Sequence, residues 1–233
     1  MEAIILAGGL GTRLRSVVPD LPKCMAPING TPFLSYLIDY LTAQGVDQFI
    51  FALGYKSDEF IEFLNLKLPL HNYTIVIEAE PLGTGGAIQL AIHKTNAKEV
   101  IALNGDSLYK VNLKDLMQFH KEHQAHCTLA IKPMQKFERY GSVEMNDKAH
   151  IVSFKEKQFM ESGFINGGVY IINVAAFISK NLPAKFSLEK DYLEKYTLEG
   201  HFYGQIQEGY FIDIGIPEDF EKAQVELRSL KKN

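Results

Sequence analysis

The sequence predicts an α/β protein with a central, mainly parallel sheet and helices on both faces. In the first half of the chain, short apolar runs alternate with segments of helical periodicity, which is the pattern of parallel strands joined by crossover helices. Chemically unusual turns follow the predicted strands after positions 6, 78 and 103. Ligands of such sheets bind at the carboxyl ends of the strands, so the three turns predict one shared site.

Two kinds of periodicity define the elements of the first half. Apolar runs predict strands at 1–7, 49–53, 73–80 and 99–108. Apolar residues at three- and four-residue spacing predict helices at 33–44, 57–64, 83–93 and 113–123. Ser57 is placed to cap the second of these helices, and Gly45 to stop the first.

The second half predicts a different arrangement. A hairpin over 140–157 is expected to turn at Asn146 and Asp147. Further elements are predicted as a strand at 164–173, a capped helix within 183–196, a strand at 210–215 and a helix at 217–230. Pro217 suits the first turn of that last helix. We interpret this half as a small β lid that completes the same domain, so that 1–233 is a single domain.

Composition excludes several classes of function. The net charge of −4 gives no broad basic surface, so no nucleic acid partner is expected. No apolar stretch approaches the roughly 20 residues of a membrane span, and the N-terminus has no leader pattern, so a cytoplasmic protein without a membrane partner is expected. Cys24 and Cys127 match no zinc or redox spacing. His120 and His123 are predicted to lie on an exposed helix face.

The loop after the first strand, LAGGLGTRL, is suited to an anion. Gly8, Gly9 and Gly11 let backbone N–H groups approach a ligand closely, and Arg13 adds a fork of donors that fits phosphate oxygens. The chain contains no P-loop motif, and Leu14 stands where the dinucleotide fingerprint requires its third glycine. The loop therefore predicts a phosphate cradle that belongs to neither of those two types.

The segment 6–14, followed by Pro22-Lys23 and Met25-Ala26-Pro27, resembles the signature of the sugar-1-phosphate nucleotidylyltransferases. The resemblance covers nearly the whole chain, and as a set the motifs are highly specific. The further motifs are EPLGTGGA (80–87), NGD (104–106), FKEK (154–157), INGGVY (165–170), FSLEKD (186–191) and FIDIGIPEDF (211–220). Within that family the chain is most similar to short bacterial members that are guanylyltransferases for D-glycero-α-D-manno-heptose 1-phosphate.

The resemblance implies a Rossmann-like, GT-A-like nucleotide-diphospho-sugar transferase fold. It implies 1–110 as the nucleotide-binding half and 111–233 as the sugar-binding half with the C-terminal helix. It also implies a role in nucleotide-sugar biosynthesis, for example for capsule or surface polysaccharide. The substrates would be GTP and a sugar 1-phosphate, while the assembly state is left open, with a homodimer as one alternative.

The family reaction needs no protein nucleophile. An oxygen of the sugar 1-phosphate attacks the α-phosphorus in line and pyrophosphate leaves, so catalysis depends on positioning and charge neutralisation. By resemblance, Arg13 meets the leaving phosphates and Lys23 the reacting phosphate. Asp106 and Asp213 are predicted as ligands of Mg²⁺, which takes one or two carboxylates together with phosphate oxygens and water. The catalytic set is Arg13, Lys23, Asp106 and Asp213.

The resemblance also assigns the two substrate cradles. In the family the lysine of the E-K pair binds the sugar phosphate and the glutamate binds sugar hydroxyls, although Gln158 replaces the proline that often follows. The sugar-phosphate set is Asn104, Gly105, Gly141, Glu156, Lys157 and Asn166. The nucleotide set is Leu6, Ala7, Gly8, Gly9, Gly11, Thr12, Arg13, Glu78, Glu80, Gly83, Thr84 and Gly85.

The base is predicted from hydrogen bonding. Guanine presents two adjacent donors that one carboxylate can accept, whereas thymidylyl and some uridylyl relatives have a glutamine just before the turn. Here carboxylates occupy that segment, so guanine is preferred. Glu78 is the first candidate and Glu80 the second, and on one strand they would point to the same face.

Several alternatives remain open from the sequence. Another nucleotide (UTP or CTP) or another sugar, such as mannose, is compatible with the same motifs. A catalytically silent regulatory homologue that binds nucleotide sugars is a second alternative. A glycosyltransferase of related fold is disfavoured because the chain has no D-x-D motif, and a nicotinamide dehydrogenase is disfavoured by the failed fingerprint.

Overall fold

The architecture is known from a computed structural model. It describes residues 1–9, 14, 18, 21–54, 57–155 and 157–230. The predicted fold class is confirmed, since a mixed central sheet carries helices on both faces. In the described part of the chain, no helix combines the length and the apolar character needed to cross a membrane.

The described part of the chain contains thirteen strands and six α-helices. The strands are β1 (Glu2–Leu6), β2 (Pro27–Ile28), β3 (Thr31–Pro32), β4 (Gln48–Leu53), β5 (Tyr73–Ile77), β6 (Glu99–Asn104), β7 (Ser107–Tyr109), β8 (Cys127–Phe137), β9 (Ser142–Met145), β10 (Ile151–Lys155), β11 (Met160–Asn173), β12 (Phe202–Ile206) and β13 (Phe211–Asp213). The α-helices are α1 (Phe33–Ala43), α2 (Ser57–Lys67), α3 (Gly83–Ile92), α4 (Leu113–Glu122), α5 (Val174–Ile178) and α6 (Pro217–Leu230). A π-helix spans Leu188–Glu194.

The first half forms the parallel part of the sheet, in the order β6-β1-β4-β5. β1, β4 and β6 are buried on both faces, which explains their continuous apolar runs, whereas the edge strand β5 is largely accessible. Side chains of α1, α2, α4 and α6 pack on one face, and those of α3, α5 and the π-helix pack on the other. Crossover helices thus align the carboxyl ends of the strands along one edge.

The second half extends the same sheet with antiparallel strands. β11 pairs with β6 and continues alongside β8 and β9, while β12 lies parallel to β8. The β9–β10 hairpin forms one end of the sheet. Its turn is closed at Asn146, whose Oδ1 accepts hydrogen bonds from the backbone N–H groups of Lys148 and His150. Strands of both halves therefore share one sheet.

Some sequence predictions are wrong in detail. β5 ends at Ile77 instead of 80, because the Glu78 carboxylate accepts a hydrogen bond from the Leu82 N–H and starts a turn. β8 and β12 were not predicted, because their identity as strands depends on pairing with each other and with distant β11. The predicted capped helix is present with Ser187 as its N-cap, but it is a π-helix. His120 is buried instead of exposed, because α4 packs it against β8, where its Nδ1 lies 2.9 Å from Thr128 Oγ1.

Candidate active site

Asp106 and Asp213 are brought together by a small two-stranded sheet. Asp106 lies in the two-residue turn after β6, and the chain then forms β7, which pairs with β13 in a register that places Ser107 opposite Asp213. The Ile214 N–H donates a hydrogen bond of 3.0 Å to the Asp106 carbonyl and extends this pairing. Two carboxylates separated by more than a hundred residues in sequence thus become neighbours at the edge of the main sheet.

Lys23 lies between these two carboxylates. It begins a 3₁₀ turn after Pro22, and the buried side chains of Cys24 and Met25 anchor that turn in the core. Its Nζ donates to Asp106 and lies 3.6 Å from Asp213 Oδ1. Burial, followed by the negative charge of Asp106, raises the pKa of the Cys24 thiol to about 12. The neighbouring cysteine is therefore a core residue with no nucleophilic character.

The electrostatics of this cluster favour an additional cation. Burial and then the negative charge of Asp106 raise the pKa of Asp213, while Lys23 and the Gly215 N–H act in the opposite direction. The N–H of Gly215 donates to Asp213 Oδ1 at 2.7 Å. Any side chain at Gly215 would approach both Asp213 and Lys23 within 3 Å. Glycine at this position lets two carboxylates and one ammonium group share a small volume.

The two carboxylates fit a hard divalent cation such as Mg²⁺. They are 32% and 26% exposed, so a ligand can reach them from solvent. Across the residues that the structure describes, no group of three or more His, Cys, Asp or Glu side chains could hold a metal ion. A cation at Asp106 and Asp213 would therefore complete its shell with substrate oxygens and water, which is the usual arrangement for Mg²⁺.

Two cavities meet at this cluster. The strand-end cavity, of about 660 Å³, lies over the carboxyl ends of the parallel strands, and the hairpin cavity, of about 410 Å³, lies under the β9–β10 hairpin. Residues common to both cavities are Lys23, Asn104, Asp106 and Lys157. The arrangement can hold two ligands side by side, with their contact point at the lysine and the carboxylates.

The strand-end cavity contains the described part of the glycine loop. Leu6, Ala7, Gly8, Gly9 and Glu78 all line it. A side chain at Gly8 would clash with the Glu78 carboxylate, whereas nothing lies within 4 Å of a Cβ at Gly9. Backbone groups of the loop are thus open to a ligand at one glycine and packed against an acid at the other.

Four sequence-predicted residues, Gly11, Thr12, Arg13 and Glu156, lie outside the described residues. Of the other predicted nucleotide residues, Gly83 and Thr84 line the strand-end cavity, whereas Gly85 and Glu80 line neither cavity. Glu80 is exposed beyond the end of β5.

The glycines of the GTGG segment are explained largely by packing. Gly83 has a φ of +77°, and its Cβ would lie 2.5 Å from the Phe186 carbonyl oxygen. The Gly85 N–H donates to that same oxygen at 3.1 Å, and a Cβ at Gly85 would clash with the Phe186 ring. The segment before the π-helix therefore lies directly on the start of α3. The Gly85 N–H is bonded to Phe186 and is not available to a ligand.

The hairpin cavity contains most of the predicted sugar-phosphate residues. Gly141, Lys157 and Asn166 line it. Asn166 is held rigidly, since its Nδ2 donates to Tyr170 Oη at 2.7 Å and its Oδ1 accepts from the Gly168 N–H at 3.0 Å.

Two residues of the NGD motif serve different purposes. Asn104 lines both cavities and packs on Gly168, whose φ of +72° and missing side chain permit the close approach. Gly105 lines neither cavity, because it lies over β1 and its N–H donates to the Leu6 carbonyl at 2.9 Å. The structure thus gives Gly105 a backbone role beneath the site.

Several lining residues were missed by sequence reasoning. Arg139 and Tyr140 line the hairpin cavity, and Arg139 forms an ion pair with Asp219 at the start of α6. Burial and the negative charge of Asp213 raise the pKa of Tyr140 to about 12, so its hydroxyl stays protonated. Their signal in the sequence was adjacency to Gly141. The π-helix and its N-cap residue add further polar groups to the lining, namely Ser187, Glu189, Lys190 and Glu194.

Comparison with known proteins assigns the family. The model of the nucleotidyl transferase family matches residues 2–229. The chain belongs to the nucleotidyl transferase family. The D-glycero-α-D-manno-heptose 1-phosphate guanylyltransferase of Aneurinibacillus thermoaerophilus is 51% identical over 228 residues, which cover 98% of this chain and 99% of that relative. The enzyme of the same name from Campylobacter jejuni subsp. jejuni serotype O:2 is 43% identical over 94% of this chain and 97% of its own.

A solved structure is also similar to this chain. The crystal structure of HddC from Yersinia pseudotuberculosis complexed with GMP-PN has a TM-score of 0.85 and 39% identity. The match covers 97% of this chain and 99% of that chain. The fold of that structure therefore extends over nearly the whole of this chain.

Proposed function

We propose that this nucleotidyl transferase transfers a guanylyl group from GTP to D-glycero-α-D-manno-heptose 1-phosphate, giving GDP-heptose and pyrophosphate. The observation that carries the proposal is Lys23 between Asp106 and Asp213, at the junction of two cavities. A reaction between two phosphates needs such a junction, with positive charge where the reacting oxygens meet. The names of the two heptose 1-phosphate guanylyltransferase relatives support the substrates.

In the proposed reaction, an oxygen of the heptose phosphate forms a bond to the α-phosphorus of GTP. The bond between that phosphorus and the bridging oxygen to the β-phosphate breaks, and pyrophosphate leaves with the electron pair. Lys23 donates hydrogen bonds to the reacting phosphoryl oxygens. Mg²⁺ at Asp106 and Asp213 would supply further neutralisation of phosphate charge. The Cys24 thiol, with its raised pKa, takes no part as a nucleophile.

The remaining roles follow the two cavities. We propose that Leu6, Ala7, Gly8, Gly9, Gly83 and Thr84 hold the nucleotide, and that Glu78 accepts from the guanine edge. Asn104, Gly141, Lys157 and Asn166 are assigned to the sugar phosphate. Gly11, Thr12, Arg13 and Glu156 keep the roles that the resemblance implies. On this proposal residues 1–233 act as one catalytic domain, with 1–110 for the nucleotide and 111–233 for the sugar, and the product supplies surface polysaccharide.

A substrate matrix tests the proposal. Pyrophosphate release is measured for GTP, UTP, CTP and ATP against heptose, mannose, glucose and N-acetylglucosamine 1-phosphates, with and without Mg²⁺. We expect the highest kcat/KM for GTP with heptose 1-phosphate, and loss of turnover when EDTA removes the metal. Faster turnover of another pair would replace the assigned substrates. Tight nucleotide-sugar binding without turnover of any pair would favour the regulatory alternative.

A further inference from the structure

One hydrogen bond connects residues that line different cavities. Thr84, at the start of α3, lines the strand-end cavity and not the hairpin cavity, whereas Glu189 of the π-helix lines the hairpin cavity and not the strand-end cavity. Thr84 Oγ1 donates to Glu189 Oε2 at 2.8 Å, since an ionised carboxylate can only accept. A residue on the proposed nucleotide side is thus bonded to a residue on the proposed sugar side.

The Thr84 hydroxyl has no proton left for a nucleotide. Its single proton goes to Glu189, and its oxygen accepts from the Leu188 N–H at 2.9 Å. The hydroxyl is fixed in place, because Leu188 is fully buried and α3 packs against the π-helix. While these bonds exist, Thr84 cannot donate from its side chain to a phosphate or base oxygen, so it meets the nucleotide through its backbone alone.

The Glu189 carboxylate is oriented through one of its two oxygens. Oε2 accepts from Thr84 Oγ1 and also from Ser187 Oγ, the latter at 2.9 Å. Oε1 accepts no hydrogen bond from the residues that the structure describes. The side chain is half-buried, so two hydroxyl groups fix the direction of a carboxylate whose second oxygen is left for a ligand.

Glu189 also lies close to residues that we assign to the sugar phosphate. Burial and then the negative charge of Glu189 raise the pKa of Tyr170, and the Tyr170 hydroxyl accepts from Asn166 Nδ2 at 2.7 Å. Tyr170 and Asn166 both line the hairpin cavity, as Glu189 does. A sugar in this cavity carries the hydroxyl donors that an unused carboxylate oxygen needs.

We propose that Thr84 is a positioning residue for the sugar phosphate, because its hydroxyl orients the Glu189 carboxylate to accept a hydrogen bond from a sugar hydroxyl group. The inference rests on the proposed function only in that the hairpin cavity takes the sugar. Removal of a side-chain hydroxyl from the strand-end cavity is therefore expected to weaken binding in the other cavity.

Steady-state kinetics with both substrates varied test this assignment. Thr84→Val keeps the shape of the side chain but removes the hydroxyl, so KM for the sugar phosphate should rise about fivefold to tenfold, the effect of one hydrogen bond. The values of kcat and of KM for GTP should change less than about twofold. Thr84→Ser keeps the hydroxyl and should stay within about twofold of the wild-type protein in all three. Thr74→Val is the matched control, since Thr74 is exposed on β5 and lines neither cavity.

A double-mutant cycle with Glu189→Ala separates positioning from a general structural role. If Thr84 acts through Glu189, Glu189→Ala alone should raise KM for the sugar phosphate at least as much as Thr84→Val. Adding Thr84→Val to that variant should then raise KM less than about twofold further. If Thr84 only supports the fold by accepting from the Leu188 N–H, the effects of the two single variants should multiply instead.

Several outcomes would overturn the assignment. A raised KM for GTP with an unchanged KM for the sugar phosphate would return the Thr84 hydroxyl to the nucleotide. Equal losses in Thr84→Val and Thr84→Ser, or multiplied effects in the cycle, would leave only a structural role. An unchanged KM for the sugar phosphate in Glu189→Ala would contradict the assignment even if Thr84→Val failed to fold.

The substrate matrix tests the proposed function separately. The cycle is run with whichever sugar phosphate the wild-type protein turns over, so a substrate other than heptose 1-phosphate would contradict the proposed function and leave the role of Thr84 to be decided by the cycle. Without turnover of any pair, dissociation constants of the sugar phosphates from calorimetry replace KM in the same comparison.

Discussion

The two cavities of this nucleotidyl transferase are built in different ways. The strand-end cavity is formed by loops that leave neighbouring parallel strands, so residues close in sequence, such as Leu6 to Gly9, line it together. The hairpin cavity is formed by the β9–β10 hairpin, β11, β13 and a π-helix, whose residues come from several distant segments. The phosphate cradle that we propose thus takes one of its walls from a continuous segment, whereas the proposed sugar cradle depends on long-range strand pairing.

The junction is shared by both cavities, so damage there should have the largest effect. Asp106→Asn and Asp213→Asn are each expected to lower kcat by about 10³-fold, because each removes a carboxylate that would hold Mg²⁺ beside the reacting phosphates. Pyrophosphate release measures the loss, and an unchanged circular dichroism spectrum shows that the fold is intact. Wild-type rates in both variants would remove the junction from the mechanism.

Acid should destabilise the folded protein through the buried His120. Burial, with the positive charges of Lys121 and His126, lowers its pKa to about 4 in the folded protein, whereas the ordinary value is 6.5. The unfolded chain therefore binds a proton that the folded protein excludes, and stability contributed above pH 6.5 is lost as pH falls toward 4. The free energy of unfolding should decrease by up to about 3 kcal/mol over this window.

Denaturant unfolding between pH 7 and pH 4 measures this dependence. In His120→Gln the slope with pH should be flatter, because the titrating group is absent. His93→Gln is the control, since His93 is exposed, and it should retain the wild-type slope. Equal slopes in both variants would show that His120 does not cause the acid sensitivity.

The contact between α3 and the segment that precedes the π-helix can be probed with a pair of glycine substitutions. Gly85→Ala is expected to lower the free energy of unfolding by about 1–3 kcal/mol, because the new methyl group overlaps the Phe186 ring. Gly9→Ala is the matched comparison, since its Cβ meets nothing within 4 Å. Chemical denaturation measures both, and similar stabilities would contradict a packing role for Gly85.

The smallest expected effect is confined to the strand-end cavity. Glu78→Gln replaces a carboxylate that can accept from both guanine donors with an amide that accepts from one. The ratio of kcat/KM for GTP over UTP should fall about tenfold, with little change in KM for the sugar phosphate. Glu80→Gln is the control, since Glu80 is exposed and lines neither cavity, and it should keep the wild-type ratio. Unchanged selectivity in Glu78→Gln would move base recognition to another group.

Much of the candidate site could be predicted because its residues lie in short, continuous sequence motifs. Lys23, Asp106 and Asp213 were each singled out, and the structure brings all three together. Arg139 and Tyr140, which line the hairpin cavity, were not predicted. Their positions depend on contacts with the distant residues Asp219 and Phe211, and such contacts have no local sequence pattern.

The sequence by itself determined the parallel half of the sheet, the glycine loop and the identity of the charged residues. Periodicity and turn chemistry are local properties, so they can be interpreted along the chain. Only the tertiary structure decided that β8 and β12 are strands, that Gly85 serves packing, and that His120 is buried. These outcomes depend on which distant segments pair, because burial and hydrogen-bond partners are created by the completed sheet.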